Sequence, residues 1–226
     1  MRQSSGIKPT TSSAGIEKAD IGRVQGLAQS INTHEDPPVL NIREDLAHPN
    51  NYGERPAGMP ITLIVLHYTA TGSLVAAVNW FKNSSAKVSA HYVIDRDGTI
   101  VRMVPEAQKA YHAGKSEWRG RKDVNRFSIG IELVSWGKLV QRDGQFFSWP
   151  NDYANLYRGL DPVFLEDTWW APYPDTQLTA LHSLLNDLAT RHSISDIVGH
   201  RDVAPNRKCD PGPSELWDKD NINTTI

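Results

Sequence analysis

The sequence predicts a mixed α/β domain. Two short runs of aliphatic and β-branched residues, ITLIVL at 61–66 and SIGIELV at 128–134, read as strands buried on both faces. A much longer segment at 176–192 places Leu178, Leu181, Leu185 and Leu188 at the spacing of one helix face. Strands that alternate with helices around a shared core belong to the mixed class.

Along the chain, residues 1–38 are rich in Ser, Thr, Gly and Gln and read as a tail. It holds one candidate amphipathic helix at 21–31, through Ile21, Val24, Leu27, Ala28 and Ile31. Asp36-Pro37-Pro38 marks a break, and residues 39–226 are expected to form the main domain. After the 61–66 strand, 74–81 reads as a helix with Leu74, Val78 and Phe81 on one stripe and Ser73 as its cap. Residues 89–95 and 99–104 read as paired strands joined by a turn at Asp97-Gly98. The helix at 176–192 is expected to start from Asp175, and 194–198 is a last strand ending at Gly199-His200. Between them, 136–175 shows little periodicity and reads as an aromatic-rich loop insertion. Its Trp136, Trp149, Trp169, Trp170, Tyr153, Tyr157 and Tyr173 suit either stacking on sugar rings or a small satellite core, and the second is favoured.

Bulk properties exclude several classes. A chain of 226 residues suffices for one full core plus an extra segment. Its 24 basic and 26 acidic side chains leave a net charge of -2, with no electrostatic case for nucleic acid or an anionic membrane. The single cysteine, Cys209, rules out an intrachain disulfide. The longest apolar run is far too short for a transmembrane span. The opening MRQSSGIKPT lacks the apolar core of a secretory signal. The chain is therefore expected to stay in the cytoplasm or to leave by a route it does not encode, and to be a monomer.

Several residues carry chemistry. His67 follows the 61–66 strand, and His200 follows the 194–198 strand. With Asp210 they make two histidines and a carboxylate, a ligand set that leaves a fourth position open on catalytic zinc. Spacing alone leaves this trio open, because the pieces lie far apart. Cys209 is a competing ligand, and adjacent residues in an extended segment point opposite ways, so one of the two faces the metal. Glu132 sits inside a buried strand, which is costly unless the carboxylate is paired or functional. Burial would raise its pKa and suit it to acid–base work, or it pairs with a base. Lys208 is either a solvated lysine or a cation placed to stabilise an oxyanion.

Six motifs then occur together and in order: IVLHYTA, SAHYVIDRDGTI, AYHAG, NRFSIGIEL, YPDTQLTAL and GHRDVAPNRKCDPGP. In this set the chain resembles the zinc-dependent N-acetylmuramoyl-L-alanine amidases of the amidase-2 and peptidoglycan-recognition type, from about residue 61 to 213. The resemblance implies a central mixed β-sheet flanked by helices, with a zinc groove on one side. It implies one zinc ion on His67, His200 and Asp210, with Asp210 rather than Cys209 at the ligand position. It implies catalytic roles for Glu132 and Lys208. Relatives that use a catalytic tyrosine carry it where this chain has Ala90, so no such role is expected. Tyr111 stands where relatives often have Trp. His112 and Asn125 fall where family members line the peptide groove, and Arg119 belongs to a basic loop suited to peptide carboxylates. The expected reaction is hydrolysis of the bond between N-acetylmuramic acid and L-alanine in peptidoglycan or a muropeptide. A phage or prophage-type lysis enzyme is the leading expectation. A cytoplasmic recycling amidase acting on anhydro-muropeptides and a non-catalytic binding module are the alternatives.

Overall fold

The computed structural model describes residues 40–148 and 155–217. The tail at 1–38 with its expected helix, and Trp149 and Tyr153, lie outside the described residues. In chain order the strands are β1 (Ile42–Glu44), β2 (Tyr52–Glu54), β3 (Leu63–Tyr68), β4 (Tyr92–Ile94), β5 (Ile100–Arg102), β6 (Gln108–Ala110), β7 (Glu117–Trp118), β8 (Arg121–Lys122), β9 (Ser128–Leu133), β10 (Lys138–Arg142), β11 (Gln145–Ser148), β12 (Asn155–Leu156), β13 (Val163–Leu165), β14 (Thr168–Trp170) and β15 (Asp196–Gly199). The α-helices are α1 (Leu74–Lys82), α2 (Asp175–Arg191) and the single turn α3 (His200–Val203). Among the described residues, no helix is long and apolar enough to cross a membrane.

The main sheet has six strands in the order β1-β5-β4-β9-β3-β15. Only β4 and β5 pair antiparallel, so the sheet is mixed. Side chains alternate across it with the strand period of two. Ile64, Leu66, Ile129, Ile131 and Leu133 face α2 and pack on Leu178, Leu181, Leu184, Leu185 and Leu188. Each fully buried leucine removes apolar surface worth roughly 1.5–3 kcal/mol. On the opposite face Leu63 and Val65 join Val124, Phe127, Val198 and Val203. Beside them Ala77, Val78 and Phe81 of α1 pack on Val93 and Val101. Burial on both faces is why these strands read as unbroken apolar runs. Ser73 caps α1 as expected, accepting a hydrogen bond from Ala76 N at 3.3 Å.

Two expectations need correction. Strand β3 runs to Tyr68, so His67 lies within it rather than after it. The ladder continues because backbone pairing with β9 does not depend on side-chain polarity. Helix α2 does begin with Asp175, an acid suited to the positive end of the helix dipole, and Pro174 is its N-cap residue. The 136–175 segment is no structureless loop: it holds a second, antiparallel sheet in the order β12-β11-β10-β14-β13. Its strands are only two to five residues long and mostly half-buried, so they leave no periodic trace. Leu139, Tyr157 and Ala171 form a small core there, with Trp136, Phe146 and Trp169 packed against it. Trp170 and Tyr173 are buried in the main core. That packing is the satellite-core alternative, and it removes Trp170 from any sugar-stacking surface.

One partly buried ion network ties the sheet to α2. Glu106, after β5, receives Arg191 Nη1 and His192 Nε2 on Oε2, each at 2.5 Å, and Tyr92 Oη on Oε1. Burial alone would raise the Glu106 pKa, but hydrogen bonds from Arg191, Tyr92 and His192 outweigh it and hold it at about 2. A depressed carboxylate stabilises the fold above its ordinary value of 4.5, and that contribution is lost as pH falls towards 2. Thermal melts should therefore show Glu106→Gln less stable than wild type at pH 7, with a smaller drop between pH 7 and pH 3. An equal acid-induced drop in both proteins would refute this role for Glu106.

Candidate metal centre and cleft

The topology places the two histidines side by side. In the parallel pair β3–β15, Leu66 is opposite Gly199, so the next residues along are His67 and His200. The chain then leaves the sheet through α3 and returns. The backbone N–H of Arg201 donates to Asp210 O at 2.8 Å, which draws Asp210 back beside His200. Tyr173 Oη donates to Pro211 O at 2.7 Å and holds the same segment from the α2 side.

The result is a buried cluster of three potential ligands, His67, His200 and Asp210. His67 Nδ1 lies 2.9 Å from His200 Nδ1 and 3.0 Å from Asp210 Oδ2, and His200 Nδ1 is 2.9 Å from the same oxygen. His200 Nε2 is 3.1 Å from Ala113 O. A carbonyl oxygen only accepts, so that nitrogen carries the ring proton and Nδ1 is turned towards the cluster. Burial, reinforced by the neighbouring His200, pushes the His67 pKa down to about 4, so its ring is neutral at pH 7. Two imidazole nitrogens and a carboxylate oxygen are a donor set that fits a divalent cation of zinc's character. Cys209 is exposed, with Sγ 3.2 Å from Tyr68 Oη, so Asp210 and not Cys209 joins the cluster.

Glu132 reaches the same place from the neighbouring strand. It pairs with His67 in the β3–β9 register, so the two side chains share a face of the sheet. Its Oε2 is buried and has no hydrogen-bond partner among the described residues. Burial first, then the charge of Asp210, raises its pKa to about 8, while Lys208 pulls the other way. A carboxyl group that changes protonation near neutral pH is suited to giving and taking protons.

The cluster opens into a cleft of about 830 Å³. Glu132, Lys208 and His112 line it, and Trp80, Phe81, Val88 and Tyr111 form an apolar wall. Tyr111 puts an aromatic ring on that wall. His112 touches the centre directly, with Nδ1 3.0 Å from His67 Nε2 and Nε2 3.0 Å from Ser128 Oγ.

Two residues expected to bind substrate are placed elsewhere. Asn125 is buried, and its Oδ1 accepts from the backbone N–H groups of His112 and Ala113 at 3.3 and 2.8 Å. It shapes the segment that carries His112 and does not line the cleft. Arg119 pairs with Asp196 at 2.6 Å, at the start of β15, while the cluster lies past the end of that strand. Its charge meets a partner within the fold rather than in the cleft. Arg207 joins the site with no signal in the sequence to mark it. Its Nη2 donates to Ala113 O and Lys115 O at 2.7 and 2.8 Å, bracing the carbonyl that orients His200.

Residues 57–213 match the Amidase_2 family, described as N-acetylmuramoyl-L-alanine amidase. The chain belongs to this family. Every expected site residue, from His67 to Asp210, lies within the matched span. Among its relatives is the 1,6-anhydro-N-acetylmuramyl-L-alanine amidase AmpD of Escherichia coli (strain K12), 37% identical over 131 residues, or 58% of this chain and 55% of that protein. A crystal structure of an AmpD derivative is similar with a TM-score of 0.57 at 30% identity, covering 81% of this chain and 92% of that one. The E. coli amidase AmiD, solved with the substrate anhydro-N-acetylmuramic acid-L-Ala-D-gamma-Glu-L-Lys, gives a TM-score of 0.54 at 30% identity, covering 75% and 61%. The chain spans about half the length of the curated relatives it matches.

A zinc titration with metal analysis checks the centre. Wild type should hold one ion per chain, and His200→Ala or Asp210→Ala should hold close to none. Arg119→Ala should match wild type. Full zinc retention in both ligand variants would place the metal elsewhere.

Proposed function

We propose that this amidase-family chain hydrolyses the amide between N-acetylmuramic acid and L-alanine, using one zinc ion held by His67, His200 and Asp210. The observation that carries the reading is the convergence of His67 Nδ1, His200 Nδ1 and Asp210 Oδ2 beside Glu132, whose buried Oε2 is unpaired among the described residues. A zinc ion bound there supplies Lewis acidity, drawing electron density from a carbonyl and making water acidic enough to yield a nucleophile near neutral pH.

The chain's own groups do the rest. Glu132 accepts the proton from the attacking water, which requires its ionised form, so this step gains as pH rises through its pKa. It then gives a proton to the departing amine of L-alanine. Lys208 lies close enough to oppose the effect of Asp210 on Glu132, and at the cleft wall it offsets negative charge building on the carbonyl oxygen. The apolar wall of Trp80, Phe81, Val88 and Tyr111 excludes water from one side of the reacting bond.

The natural substrate we favour is a soluble anhydro-muropeptide. AmpD of E. coli carries that activity in its name, and AmiD was solved with such a compound. The lysis-enzyme expectation is the weaker reading: these relatives point to anhydro-muropeptides, and the described residues of the aromatic 136–175 segment pack as a small sheet core.

The test offers purified protein anhydro-muropeptide and intact peptidoglycan separately, with chelation and zinc re-addition, and follows newly exposed N-terminal L-alanine. Release from the soluble substrate should be faster and should return with zinc. Glu132→Gln should keep its zinc and lose about 10²–10⁴-fold in turnover. Turnover in Glu132→Gln within a few-fold of wild type would reject its role. Preferential release from intact wall would restore the lysis reading.

A further inference from the structure

We propose that His112 and Ser128 form a hydrogen-bond relay that sets the tautomer of His67, so that His67 presents the lone pair of Nδ1 to the metal centre. The inference rests on reading His67, His200 and Asp210 as that centre.

An imidazole that ligates a metal is neutral and carries one proton, on the ring nitrogen turned away from the ion. The relay fixes that proton by a chain of single choices. The Ser128 hydroxyl has one proton, and Val124 O, 2.8 Å away, can only accept it. Ser128 Oγ is then left to accept, so the His112 Nε2 at 3.0 Å must carry the His112 proton. His112 Nδ1 is therefore a lone pair, and it accepts from His67 Nε2 at 3.0 Å. With its proton on Nε2, His67 turns a bare Nδ1 towards His200 and Asp210. His200 reaches the same tautomer by a shorter route, donating from Nε2 to Ala113 O.

The packing is built for this contact. Ser128, Gly130 and Glu132 alternate on one face of β9, opposite the core-facing Ile129, Ile131 and Leu133. A Cβ on Gly130 would lie 2.4 Å from His112 Cγ, so only glycine lets the imidazole lie against the strand. The His112 ring then meets His67 edge-on, with centroids 5.1 Å apart and planes at 82°. One strand thus carries both the relay's anchor and the acid–base group. Both His112 nitrogens are engaged, so His112 acts as a positioning residue and holds no free polar atom for a peptide.

The test measures zinc affinity of the full chain by competition with a chelator. It is paired with ¹H–¹⁵N spectra of the zinc-loaded protein that report the His67 Nε2 proton. His112→Phe keeps a ring of similar size without nitrogens and should weaken zinc binding about 10–100-fold. Its His67 Nε2 proton, slowly exchanging in wild type, should be lost to solvent. His112→Asn, whose Oδ1 sits near the position of Nδ1, should recover much of both. Ser128→Ala removes one oxygen and should shift both readouts in the same direction, which covers the case of a poorly folded His112→Phe. Wild-type affinity together with a protected His67 proton in folded His112→Phe, or in Ser128→Ala, overturns the relay alone. A wild-type chain that takes up no zinc removes the metal reading and the relay with it.

Discussion

Two imidazole nitrogens and a carboxylate oxygen face one another at 2.9–3.0 Å in a buried site, and much of the surrounding architecture constrains them. With the ring protons on the outer nitrogens, these three atoms are all electron-rich and repel one another. A cation between them turns that repulsion into attraction. The parallel pairing of β3 and β15 brings the histidines abreast. The hydrogen bond from Arg201 N to Asp210 O recovers the carboxylate from ten residues further on. The rest of the sheet, with leucines of α2 on one face and α1 on the other, keeps these backbones from drifting.

The same burial that favours a cation also prepares Glu132. Its carboxyl is charged only at a cost, because Oε2 is buried without a donor among the described residues and Asp210 adds like charge nearby. A cation in the cluster would oppose both effects and lower the pKa from about 8, so loading the metal and ionising the base are coupled. Lys208 acts in the same direction from the cleft wall. The separation of roles follows from position. Groups at the end of β3 and just beyond β15 face inward as the proposed ligands, and the group on β9 faces the same cavity, its Oε2 without a partner among the described residues.

Much of the fold was legible because the core obeys simple periods. The runs at 61–66 and 128–134 mark strands whose burial is nearly complete, and the leucine stripe marks the buried face of α2. The second sheet left no such trace, since its strands are short and half-buried. Yet Asp143-Gly144, both at positive φ between the paired Arg142 and Gln145, was a readable two-residue hairpin turn that went unused. At the site, residue type and motif order were enough to name His67, His200, Asp210 and Glu132. They did not place Arg119 or Asn125, because a basic loop or a groove-lining position says nothing about which partner inside the fold captures the side chain. Asp196 and the backbone of His112 and Ala113 are those partners. Arg207 and Ser128 were silent for a related reason. Their work is done on backbone carbonyls and through another side chain, which no motif spells out.

X-ray absorption at the zinc edge of the loaded protein tests the central claim most directly. The account predicts a shell of nitrogen and oxygen donors only, at about 2.0–2.2 Å, with two imidazoles among them. A sulfur scatterer at about 2.3 Å would put Cys209 on the metal in place of Asp210, and the geometry described for this centre would be wrong.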